Sequence, residues 1–109
     1  MEDVVFSKKF DGMTYGISDH PNGTKDGFIL VNRRHPWFGK SVESVREDSS
    51  DPFVTFSLQD QTTSLWAIGM SFSGSVSEVD IISETTNLCH EAFLAKSMEI
   101  SGRHASPTR

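Results

Sequence analysis

One cysteine, Cys89, among 109 residues excludes an internal disulfide and any multi-cysteine zinc site. No apolar run approaches the roughly 20 residues that a bilayer-spanning helix needs. The N-terminal stretch MEDVVFSKKF lacks the apolar core of a signal peptide. Positive charge is in deficit: 10 Lys and Arg face 15 Asp and Glu, a net of −5 that argues against non-specific binding of nucleic acid by the whole surface. There is no Walker loop and no G-x-G-x-x-G. The four histidines, His20, His35, His90 and His104, fall at no zinc-binding spacing. The chain reads as one globular, intracellular domain with no membrane segment, metal or cofactor, and catalysis has no positive support in it.

What is present is hydrophobic patterning of two kinds. MTYGI (13–17) and GFILV (27–31) read as strands of a hairpin, joined by a polar loop whose Pro-Asn-Gly is a strong turn signal. KSVESVREDSSD (40–51) reads as a polar connection with one helical turn at most. FVTFSL (53–58) alternates Val54, Phe56 and Leu58 against Phe53, Thr55 and Ser57. In LWAIGMSFS (65–73) Trp66, Ile68, Met70 and Phe72 share the face meant for the core. The opposite face, around Gly69, Ser71 and Ser73, is small and polar, which suits solvent or close approach by a ligand or partner.

From Ser75 the period becomes helical, with Ser75 as expected N-cap and Glu78 completing a capping box. Val79, Ile82, Cys89 and Phe93, with Ile81, Leu88, Ala92 and Ala95, fall on one wide apolar stripe of a helix of about five turns, so Cys89 reads as a small buried residue. The expected architecture is α+β: an antiparallel sheet of about four strands with one C-terminal helix packed on it. Residues 1–100 form that single domain, and 101–109 a polar tail.

The basic residues are unevenly placed. Lys25, Arg33, Arg34, Lys40 and Arg46 are half of the chain's Lys and Arg, gathered on one hairpin and its exit. In NRRHPWFGK (32–40) guanidinium groups suited to phosphates or carboxylates stand beside His35 and two aromatics, Trp37 and Phe38. Two readings of those aromatics stay open: faces for a ring or base, or packing anchors beneath solvated arginines. His20 and His35 each flank a proline and could meet in space. Serine is too abundant for a Ser–His coincidence to carry weight.

The blocks GFILV…HPWFGK, PFVTFSL, LWAIGMSFSGS and a closing helix, over about residues 12 to 97, resemble a family of small proteins of tailed bacteriophages and prophages. That family has the form G-Y-V-x-V-P-x-G-H-P-x-Y-G, later W-W-x-G-F-D-x-A-H-x-G-D, then a helix. His35, Pro36, Gly39 and Trp66 or Gly69 match it residue by residue. VNRR replaces V-P-x-G, so the paired arginines are this chain's own, and MSFSGS lacks the family's two aspartates and histidine. The resemblance implies a phage accessory protein working in the host cytoplasm. Such a protein is expected to counter host antiviral defence, by binding a host defence protein or by sequestering its nucleotide-derived signal.

The expected contact residues are Arg33, Arg34, His35, Trp37, Phe38 and Lys40, with Lys25 and Ser71. Two other classes stand beside this one. One is a small nucleotide hydrolase using His35 or His20. The other is a virion or assembly component that self-associates through a sheet edge, a homo-oligomer.

Overall fold

The dipeptide Asp11–Gly12 reverses the chain in two residues. In the computed structural model, which describes residues 3–105 and the side chains of residues 4–99, both take positive φ, 51° and 79°. They join β1 (Asp3–Phe10) to β2 (Met13–Asp19) with Phe10 facing Met13. Asp-Gly is a favoured pair for such a two-residue hairpin loop. The 20–24 loop then leads into β3 (Lys25–Val31), α1 (Val42–Ser49), β4 (Phe56–Gln59), β5 (Trp66–Phe72) and α2 (Glu78–Ala105). The five strands form one antiparallel sheet in the order β1-β2-β3-β5-β4. The class is α+β, with five strands rather than four and a second, short helix.

Three local expectations change. Residues 42–49 form two helical turns rather than one at most: Ser41 caps the start by accepting from the Ser44 N–H, and Ser50 closes the end at φ 57°. The N-cap of α2 is Ser77, not Ser75: its Oγ accepts from the Asp80 N–H and its carbonyl from the Ile81 N–H. Strand β4 starts only at Phe56, so Val54 enters the main core while Phe56 and Leu58 lie on the other face. Helix α2 runs on through residues 101–105 of the expected tail; 106–109 and the His104 side chain lie outside the described residues.

The main core lies between α2 and one face of the sheet. Ile29 and Val31 of β3 and Ile68 and Met70 of β5 meet Leu88, Cys89 and Ala92 of α2, all buried. The Cys89 thiol is pushed up to about 11, by burial first and the charge of Asp11 second, so it fills space rather than reacts. On the other face a smaller cluster of Phe28, Leu30 and Ala67 packs with Phe56 and Leu65. Among the described residues no helix is long and apolar enough to cross a membrane.

Gly27 sets how closely α2 approaches. A β-carbon there would run into Thr85 Oγ1 and press on Ile81. Thr85 is itself fixed, donating to the Ile81 carbonyl at 2.7 Å. Gly27→Ala therefore has to push the helix off the sheet, an overpacking cost of about 1–3 kcal/mol. A lower urea midpoint with an unchanged slope is the expected result.

Candidate functional site

The segment between β3 and α1 is a chain of tight turns. The His35 N–H bonds to the Asn32 carbonyl, Phe38 to His35 and Lys40 to Trp37, at 3.0–3.1 Å. The Asn32 Oδ1 also accepts from the Arg34 N–H at 2.9 Å, and Gly39 supplies a φ of 81°.

Two of the expected contact residues are the pins of this segment. His35 is buried, its Nε2 donating to the Ala92 carbonyl of α2 at 2.8 Å and its Nδ1 accepting from the Trp37 N–H at 2.9 Å. With both ring nitrogens engaged, His35 has none left for a general acid or base. Burial holds its pKa below 6.5, against the opposing pull of the Ala92 carbonyl. Trp37 is fully buried in the main core, and its Nε1 donates to Asp48 Oδ2 of α1 at 2.8 Å. Its ring is a packing anchor and presents no face to a ligand. Phe38 is half-buried against the Trp66 ring, centroids 5.4 Å apart.

The arginines stand on top of these pins. Arg33 and Arg34 are exposed, and among the described residues neither side chain has an ion pair or hydrogen bond. Arg34 opens onto a cleft of about 350 Å3 shared with His35, Pro36, Asp11, Lys96 and Glu99. Both arginines border a shallow hollow beside Thr63, Ser64 and Leu65. Lys40 faces the other side of Pro36, toward Asp48, Glu91 and Leu94.

The other expected members are elsewhere. Lys25 begins β3, so the strand's seven residues, roughly 20 Å at about 3.3 Å each, separate it from the arginine turn. Its ammonium pairs with Asp19 at 2.8 Å and Glu78 at 3.6 Å, and the Asp19 bond raises its pKa. Ser71 faces Asp26 across β5 and β3, at that same far end, and donates to Asp26 Oδ1 at 2.9 Å. The Arg33–Lys40 turn and the face around Ser71 are therefore two places, not one surface. Phe56 also lies across Gly69, where a β-carbon would strike its ring. His20 and His35 do not meet, since the β2–β3 hairpin holds them at opposite ends. His20 Nε2 instead contacts Asp26 Oδ2 at 2.6 Å, a pairing of residues six apart across a hairpin loop that spacing alone did not single out.

Among the described residues no three His, Cys, Asp or Glu side chains converge to hold a metal ion. The turn carries two exposed positive charges on a backbone held by hydrogen bonds. No protein-family model, curated protein or solved structure matches this chain.

Proposed function

We propose that this chain is a small binding protein whose contact group is the Arg33–Arg34 pair, and that it engages an anionic partner. The observation that carries this reading is the pair itself: two exposed guanidiniums without an ion pair among the described residues, on an acidic chain, on a turn pinned from below by His35 and Trp37. A turn already fixed loses little further freedom on binding, so more of each charge-assisted hydrogen bond appears as affinity. The resemblance to phage accessory proteins supplies the setting. There the partner is an acidic patch on a host defence protein or a nucleotide-derived defence signal, and the protein works in the host cytoplasm.

The test is Arg33→Ala with Arg34→Ala. Hydrogen bonds to charged groups contribute about 1.5–3 kcal/mol each, so the double variant should bind a nucleotide panel, or its captured host partner, at least about tenfold more weakly. Its melting temperature should stay within about 2 °C of the parent, because exposed substitutions away from packing stay within about 0.5 kcal/mol. Calorimetry and thermal denaturation read the two effects separately. Binding retained with stability lost would sink the reading. Recovering the nucleotide intact after denaturing the complex distinguishes sequestration from hydrolysis.

A further inference from the structure

The face of the sheet turned away from α2 carries a feature that the arginine turn does not use. The register sets Ser18 of β2, Asp26 of β3 and Ser71 of β5 side by side on that face. The 60–64 loop folds toward them, leaving a groove of about 630 Å3. Small-molecule sites commonly measure about 300–1,000 Å3. The groove's apolar side is formed by Phe56, Leu58 and Ala67, and its polar wall by His20, Asp26 and Ser71. Among the described residues no lysine or arginine lines it.

The hydrogen-bond inventory of that wall is one-sided. The buried Asp26 carboxylate receives His20 Nε2 at 2.6 Å and Ser71 Oγ at 2.9 Å. In these two contacts the carboxylate oxygens accept, and Nε2 and Oγ donate. The Ser71 proton is spent on Asp26, and the Gln59 side-chain nitrogen goes to the Ser64 carbonyl at 3.4 Å. What remains around Asp26 is acceptors: second lone pairs on its own oxygens, Oγ of Ser71 and the Gln59 carbonyl oxygen. Among the described lining side chains, donors remain on the second N–H of Gln59 and on Gln61 and Thr62, all exposed. Beside Asp26, the Ser18 hydroxyl is fully buried and has no hydrogen-bond partner among the described residues. Asp60, also in the lining, accepts from Thr63 at 2.5 Å; that bond holds its pKa down and keeps it ionised.

We propose that this groove binds a small organic ammonium, a primary amine on an apolar, ring-bearing body, with its N–H groups on Asp26 and Ser71 and its body against Phe56 and Leu58. An ammonium offers three donors and no acceptor, which is what an acceptor-rich wall lacks. The Phe56 ring adds attraction for a cation. An anion would meet the Asp26 carboxylate in a lining that, among the described residues, holds no lysine or arginine. The polar wall of this site lies at the opposite end of β3 from Arg33 and Arg34, and its ligand carries the opposite charge, so it stands or falls independently of the function proposed above.

Three matched probes decide it: 2-phenylethylamine, 2-phenylethanol and phenylacetate, titrated into the full chain and followed by amide chemical shifts. The amine should bind at least about tenfold more tightly than the alcohol, and phenylacetate should show no saturation. Shifts should centre on Phe56, Ala67 and Ser71 and spare 33–38. Asp26→Asn should weaken the amine at least about tenfold, while Arg33→Ala with Arg34→Ala leaves it unchanged. Should Asp26→Asn not fold, the three-probe ranking in the parent and weakened amine binding in Phe56→Leu carry the test. The alcohol or acid matching the amine, shifts centred on the arginine turn, or no saturable amine binding up to about 10 mM would each overturn the proposal.

Discussion

Trp37→Ala is expected to remove about 3–5 kcal/mol of stability, the usual cost of deleting a large buried aromatic. Trp37 has no solvent exposure and sits among Val31, Val45 and Val54, where the β3–α1 turn, α1 and the sheet converge. Its removal opens a cavity that those three elements can close only by moving together. A domain of this size has about 5–15 kcal/mol in total, so the variant should melt on the order of 15 °C lower or fail to fold. Trp37→Phe separates packing from hydrogen bonding. It keeps a ring in the core and loses only the bond from Nε1 to Asp48, whose exposed carboxylate is left to solvent. That loss should cost about 0.5–1.5 kcal/mol. Urea denaturation of both variants gives the comparison, and an alanine variant as stable as the parent would remove Trp37 from the core.

His35 gives the second large effect, and it depends on pH. In the folded chain burial holds the imidazole neutral, with its pKa below the ordinary 6.5. As pH falls past 6.5 the unfolded chain takes up the proton first. The folded state must then either stay neutral at a disadvantage or protonate Nδ1 against the Trp37 N–H that it accepts. Stability from this residue is therefore complete above 6.5, declines as pH falls below it, and is fully lost once the pH passes the depressed folded value. His35→Gln leaves the Ala92 carbonyl or the Trp37 N–H without its partner, at a cost of about 1–3 kcal/mol near pH 8. The gap between parent and variant should narrow by about pH 5, because the variant has no proton to take up at this position. Urea midpoints at several pH values, read as that difference, cancel the titration of the remaining histidines. A gap that stays constant with pH would show that His35 is not held neutral.

These two residues also show where reading the chain from its residues succeeds and where it stops. The strands at 13–19, 25–31 and 66–72 and the long helix were legible because their patterns are regular and their core faces are apolar. Strand β1 was not, since a register shift between Val4 and Phe6 breaks its alternation and Lys8 and Lys9 sit on an edge strand. The Asp11–Gly12 pair was the signal that would have found it. Helix α1 escaped because only Val45 and Ser49 of its eight residues are buried, so it forms through capping and tertiary contact rather than through a visible stripe.

At the site, the exposure of Arg33 and Arg34 followed from composition alone. The packing of Trp37 was one of two readings left open, and the groups that hold His35 and Trp37 were not legible, because they are Ala92, 57 residues away, and Asp48, 11 residues away. A turn sequence shows its own backbone preferences. It does not show which distant carbonyl or carboxylate will hold its side chains.

The sheet order also bears on how the chain reaches this structure. Strands β1, β2 and β3 form a meander whose neighbours follow directly in sequence, and β4 and β5 form a hairpin of their own. The seam between the two units is β3 against β5, where Ile29 meets Ile68. The whole arginine turn and α1 lie in the loop that this pairing closes. Closing so long a loop has an entropic cost before any contact repays it, so this pairing should set the folding rate. Substitutions along the seam, such as Ile68→Val, should then slow refolding, whereas those within the β1–β2 hairpin should mainly speed unfolding.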